Sequence, residues 1–447
     1  MRATIKFASV SPALGKLFTS IVLILLLTED TIARLKLVIR EHHPQIATIL
    51  QVPERFESIQ VAIEAADHGD TVLISPGEYN ESIDFQGKRI SVASMYIFTS
   101  MREYIDSTVI IGVDDASVVN FLNGETRQSR LCGVTVSGGR SGFGGGIYCG
   151  DESSPTIDYC RITDNHANGL GGGIIAWQNS HPLLDHCEIF GNTANSGAGL
   201  VSRSGSQPVL INCIITENQA DNDAGGVYCL SGGMPIIINT TLWNNFPEEV
   251  FFKDTGSENA ITMAYCSLRN GTDQIFLEDN GEAEIIGGLV ADDPVFSNPE
   301  QNLFSLEWNS HCIDAGSTLF ISDGDTLLRL NENQFLGESA EIGAYEYDPN
   351  YAPYQKNVTV KDFALQSIYP NPVNGSVKID FRLNSPGLTF IRLFDHSGRI
   401  IASLNTSYLP AGNHFINWNL TTYNSGSYLL ELHSGNSKDV KKLVILK

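Results

Sequence analysis

The sequence predicts an all-β chain: a parallel β-solenoid with an N-terminal capping helix, followed by a small C-terminal β-sandwich. The first observation behind this is a repeated phrase between residues 132 and 270, written YCRITDN, HCEIFGN, NCIITEN, TTLWNN and YCSLRN. The second is that four residue types keep one interval of 26 to 28 residues. They are thiols (Cys132, Cys160, Cys187, Cys213, then Thr240 in place of a thiol, then Cys266), amides (Asn165, Asn192, Asn218, Asn245), prolines (Pro155, Pro182, Pro208, Pro235) and glycines (Gly146, Gly173, Gly199, Gly226). Columns that agree in phase mark a repeat that stacks on its neighbours. The third is a local period of two after each thiol, as in Cys160 and Ile162 or Cys187 and Ile189, which is a strand with one face inward.

A second strand follows the glycines (Ile147, Cys149) and a third starts at the prolines, which lack an N–H and suit a strand's first residue. Between Ile157 and Cys160 the inward parity breaks, which marks a corner. Three short strands and three corners in about 26 residues make one coil of a parallel β-helix, roughly 4.8 Å from the next. The inward columns then read as structural ladders: small and branched side chains in a dry core, and corner amides bonding to those above and below.

From the start of the chain, residues 1–33 read as an export signal, with Arg2, Lys6 and Lys16 before an apolar run ending IVLILLL and a cleavage site at Thr31-Ile32-Ala33. A run of eleven residues, Leu17 to Leu27, is short for a span, so the mature chain is expected to have none. Residues 34–50 form a leader without a pattern. The β-helix with its caps is expected over 51–347, opening on an amphipathic helix with Phe56, Ile59, Ile63 and Ala66 on one face, stopped by Gly69. Its closing stretch, from DPVF through HCIDAG to EIGAYEY, is expected to cover the last coil. Residues 348–362 form a linker, with Pro349 and Pro353, and 363–447 a domain of about seven short alternating strands.

A formal charge of −23 excludes nucleic-acid binding, which needs clustered Lys and Arg. It suits solubility outside a cell and fits calcium or a cationic partner better than a polyanion.

The repeats resemble the right-handed parallel β-helix (pectin-lyase-like) family, shared by pectin and pectate lyases, polygalacturonases and many surface proteins. The resemblance implies the handedness. The stretch IQVAIEAADHGDTVLISPGEY is similar to the opening of many exported members. The C-terminal part resembles the type A sorting domain of type IX secretion in Bacteroidota. The residues that carry this are Tyr369, Pro370, Asn371 and Pro372 (YPNP), Gly398 in SGR, Gly426 and Tyr428 in GSY, and the terminal KKLVILK. It implies two partners, the type IX secretion machinery and its sortase-like protease, and a product that is secreted or held at the outer-membrane surface of a Gram-negative bacterium.

For chemistry, the eight cysteines are expected to be buried free thiols: Thr240 replaces one in phase, and Cys149 and Cys229 lie three coils apart. Asp158 and Asp185, each three residues after a proline, should stack on adjacent coils, where two carboxylates could share a proton, bind calcium or span a glycosidic bond. Solvated corner acids are the simpler reading, since the column continues as Ile211 and Ile238. Asp221 with Asp223, and Asp323 with Asp325, are candidate calcium loops, each short of a full ligand set. No other cofactor is evident. His166, His181 and His186 fall in different columns with no obvious nucleophile or acid beside them. The Gly-His-Gly and Arg-Ile-Lys signatures of polygalacturonases are absent. An outward column of Tyr148, Ile175, Val201 and Tyr228, with Trp177 beside it, could stack on sugar rings or lie under a loop. The expected function is a non-catalytic glycan-binding or adhesive scaffold. The alternatives are a polysaccharide lyase or glycoside hydrolase, and a structural surface spacer.

Overall fold

The computed structural model describes residues 48–278, 281–332 and 334–348, and toward the C-terminus 364–369, 371, 373–383, 386–394, 400–410, 412–434 and 437–446. The expected export signal lies outside the described residues, as does the linker beyond Asp348. The first strand among the described residues, β1 (Ile49–Val52), begins inside the expected leader of residues 34–50, and helix α1 (Ile59–Ala65) follows it. Ser58 caps α1 by accepting the Val61 N–H, and Ile59, Ala62 and Ile63 are buried in the end of the core. Its last carbonyls are met by Lys88, whose Nζ donates to Ile63, Glu64 and Ala66.

One coil is well represented by residues 156–176. Thr156–Asp158 and Arg161–Thr163 both join a 17-stranded wide sheet, His166–Leu170 joins a four-stranded polar sheet, and Ile174–Ala176 joins an eight-stranded flank sheet. The strands along the solenoid axis are parallel and in register, Ile157 on Leu184 and then on Leu210. Between the two wide-sheet strands sits one residue in the left-handed region: Tyr159 (φ 52°), His186 (51°), Asn212 (50°), Asn239 (48°) and Tyr265 (52°) in successive coils. This residue turns both Ile157 and Cys160 inward although they are three apart, and both are buried. The inner faces interlock as one continuous core from Leu50 to Leu268. The glycine column exists because neighbouring coils touch there: a Cβ on Gly173 would lie 2.7 Å from the Gly199 carbonyl oxygen.

Two expectations are corrected. Each central coil has a fourth strand, in the polar sheet, whose outward side is too hydrophilic to register as a strand. Cys132 is not in the thiol column either. Register pairs it with Asp158, and Thr135 with Arg161, so Val134 stands below Cys160. Its step of 28 residues carries Cys132 to the outward face, where it is still buried.

The closing segment does more than cover the last coil, which it reaches through Ile286 and Val290. It runs back over the outer face of the wide sheet. Phe304 and Ala344 pack on Phe190 and Ile214, while Phe320 and Leu328, from the hairpin Leu319–Ser322 and Asp325–Arg329, pack on Val209, Ile211, Ile236 and Ile238. Beyond it, the C-terminal residues form antiparallel sheets of three and four strands closing on a separate core, which includes Phe381, Ile391 and Trp418.

Candidate functional site

The stacked carboxylates are where the register places them, Asp158 beside Asp185. Each is engaged by its own partner. Arg130 chelates Asp158, Nε donating to Oδ1 at 2.8 Å and Nη2 to Oδ2, and Asp158 is buried. Asp185 accepts from His186 Nδ1 at 2.7 Å, so His186 does have an acid beside it, its own neighbour in sequence. Asn212 Nδ2 lies 3.3 Å from His186 Nε2, so both contacts are satisfied by the tautomer with its proton on Nδ1, and the second ring nitrogen is occupied as an acceptor. His186 stacks on Tyr159 at 4.7 Å, and Tyr159 packs on Tyr96 at 4.8 Å. Burial, with nearby acids adding to it, pushes both phenols well above their ordinary range, so neither serves as a base. The cluster resembles a packed polar column more than an open acid pair.

The aromatic column is also in register: Tyr148, Ile175, Val201 and Tyr228 pair in order, and Phe251 and Phe276 extend it. Its middle is covered. Glycine-rich turns fold over Ile175 and Val201, so close that a Cβ on Gly197 would meet Val201 Cγ2 at 2.4 Å. Tyr228 lies under the same turns, buried, with its hydroxyl 3.3 Å from Asp223 Oδ2. Tyr228 is therefore corrected from a ligand contact to a packing residue. The open part is at the earlier coils. There Trp177 and Tyr148 are half-buried, their rings 6.2 Å apart, and Phe143 adds an exposed ring 5.4 Å from Trp177. Arg203 stacks over Trp177 at 4.4 Å.

Asp323 and Gly324, at φ 51° and 88°, form the two-residue turn of the closing hairpin, and Asp325 starts its return strand. Asp223 faces Lys253 at 3.7 Å, and Asp221 is exposed. Among the described residues no group of three or more His, Cys, Asp or Glu side chains could hold a metal ion.

The amide column forms a continuous buried ladder. Asn165, Asn192 and Asn218 each donate through Nδ2 to the next Oδ1 at 2.9–3.0 Å, and each also donates to a carbonyl of the preceding coil. The ladder ends on Glu249, which accepts from Asn245 Nδ2 at 2.6 Å and pairs with Arg269 Nε at 2.9 Å. Burial pushes Glu249 up to about 7, while Asn245 and Arg269 pull it down. All eight cysteines are buried free thiols, and burial pushes Cys160 and Cys266 up to about 12.

In the C-terminal part, Asn371 ties its motif to the last strand, with Nδ2 donating to the Lys442 carbonyl at 2.8 Å and Oδ1 accepting from Val444 N at 2.9 Å. Tyr369 is exposed, Gly426 opens a strand opposite Ile445, and Tyr428 donates to the Asn424 carbonyl. Pro370, Pro372 and Gly398 lie outside the described residues.

A family model described as the right handed beta helix region matches residues 107–220 and again 145–335, together more than half of the chain. The chain belongs to this right-handed β-helix family. A second model, the secretion system C-terminal sorting domain, matches residues 367–446. The protein is thus a β-helix repeat protein carrying a type IX sorting tail, which sends it to the cell surface or into the medium. No curated protein and no solved structure matches the chain. Among the described residues, no helix is long and apolar enough to cross a membrane.

Proposed function

We propose that the protein is a non-catalytic glycan-binding scaffold, released or displayed by a Gram-negative bacterium after a sortase-like protease removes the tail. The observation that carries this is the open aromatic patch of Phe143, Tyr148 and Trp177 with the Arg203 guanidinium stacked on it. Rings held against one another in T-shaped and tilted contacts on a sheet stack on sugar faces at little entropic cost, and an adjacent guanidinium donates to hydroxyls. The Asp158–Asp185 pair supports the non-catalytic side of the reading. A retaining pair leaves both carboxylates free to reach the sugar, whereas these are held by Arg130 and His186.

The test is to incubate the protein with a polysaccharide panel, with and without calcium, scoring binding, reducing ends and unsaturated-sugar absorbance together. Binding without turnover, lost in Trp177→Ala and Tyr148→Ala, is expected. Turnover that vanishes in Asp158→Asn or Asp185→Asn would make the protein a lyase or hydrolase. No binding and no turnover would leave a structural spacer.

A further inference from the structure

The faces of the central coils differ in what lies on them. Residues 290–347 cover much of the outer face of the wide sheet, and glycine turns cover the middle of the flank sheet. The polar sheet, formed by Arg140–Phe143, His166–Leu170, Thr193–Ser196 and Gln219–Ala220, has an open outer side. Its inward residues, Ala167, Ala194 and Ala220, are buried, while Arg140, Asn168, Thr193, Asn195, Gln219 and Asn222 are exposed.

These outward side chains stand in order. Register stacks Arg140, His166, Thr193 and Gln219 in one column. Beside it Asn168, Asn195 and Asn222 recur every 27 residues, and the Asn222 N–H bonds the Asn195 carbonyl. The side chains hold one another in place. Asn222 Nδ2 donates to Asn195 Oδ1, while His166 bonds Thr193 Oγ1 at 2.9 Å and Asn168 Oδ1 at 3.2 Å. Such a row is pre-organised, so a ligand ordered by it has little side-chain entropy to overcome.

We propose that this row is a track for one extended neutral polysaccharide chain lying along the solenoid axis, one sugar unit per coil, entered from the aromatic patch. The inference rests on the glycan-binding reading and names its substrate class. Three observations select the occupant. Phe143 is the last residue of the first polar-sheet strand and also the ring packed on Trp177, so the track and the patch are continuous. Outward amides and hydroxyls recur at the coil spacing of roughly 4.8 Å, on the order of the length of one pyranose ring, so each unit of an extended chain passes a polar side chain whichever of its edges faces the sheet. Charge selects against a polyanion, because Asp164, Glu217 and Asp221 flank the row in a chain of net charge −23.

The experiment titrates the full chain with neutral β-1,4-linked oligosaccharides of two to six units, with a polyuronate and a flexible α-linked glucan as controls. Affinity is expected to rise stepwise to about four units and then level, as the coils run out. Asn195→Ala and Thr193→Ala should each weaken the longer ligands about five-fold and leave the disaccharide, which reaches only the patch, unchanged. Both residues are exposed, and an unchanged melting temperature will show that the variants fold. Length-independent affinity, unaltered in both variants yet lost in Trp177→Ala, would overturn the track and leave the patch standing. Equal or tighter binding of the polyuronate would overturn the neutral class. Binding to no glycan would overturn the underlying reading and the track with it.

Discussion

Two rows of asparagine run along this molecule, three or four residues apart in each central coil. Asn165, Asn192 and Asn218 are buried and spend their amides on one another and on carbonyls of the preceding coil. Asn168, Asn195 and Asn222 are exposed, and most of their bonding capacity faces water. Residue type is the same in both, and the intervals are nearly so, 27 and 26 residues in the buried row against 27 and 27 in the exposed one. What differs is the side of the backbone: the left-handed residue before the ladder, Asp164 (φ 55°), Gly191 (63°) or Glu217 (56°), sets the phase with the next residue inward, and the strand's alternation then turns Asn168 and Asn195 outward. A period shows which residues stack; their phase after the turn shows whether the stack is buried in the fold or faces solvent.

The largest effect that would break this comparison belongs to the buried row. Asn192→Leu strands the Asn165 donors and the Ile162 carbonyl, and should cost on the order of 3 kcal/mol in denaturant unfolding. A cost near zero would put those amides in solvent. Arg130→Ala comes next, leaving Asp158 buried without its partner. We expect about 2 kcal/mol, between the exposed and buried ranges, because Arg130 is itself about one-third exposed.

A pH titration sharpens the picture at the ladder's end. Glu249 has a folded pKa raised to about 7, so between about 4.5 and 7 the folded state binds more protons than the unfolded one. Its contribution to stability is therefore fully present below about pH 4.5 and lost as pH rises through 7. Glu341, raised to about 9 by burial and its bond to Glu346, extends the same trend upward. Glu249→Gln should flatten the slope up to pH 7 and leave the upper part. An unchanged slope would show the carboxylate stays ionised throughout. The smallest effect is expected in the exposed row, where Asn195→Leu should change stability by no more than about 0.5 kcal/mol.

Much of the solenoid was legible because its core is built from columns, and columns survive in one dimension. The thiols, the amides and the break between Ile157 and Cys160 each gave a phase. Cys132 misled because a matching residue type outweighed its longer step; the better signals were Val134 two residues on, and Gly133 at the left-handed corner (φ 67°). The cover on the wide sheet leaves its mark outside the repeat columns: VLI and III at 209–211 and 236–238 are unbroken apolar runs, the pattern of strands buried on both faces. The fourth strand is hidden for the opposite reason: most of its outward side chains are polar, and its inward mark is one small residue per coil, Ser141, Ala167, Ala194 and Ala220. The carboxylate pair could be placed but not interpreted, since Arg130 and Asn212 reach it across coils and no local pattern records that.

The most direct test is a side-by-side titration of folded Asn192→Leu and Asn195→Leu proteins with a neutral β-1,4-linked hexasaccharide. The account predicts that Asn195→Leu binds about five-fold or more weakly, while Asn192→Leu, though less stable, binds like the parent. Equal affinities in both would contradict it, since the exposed row would then be surface and nothing more.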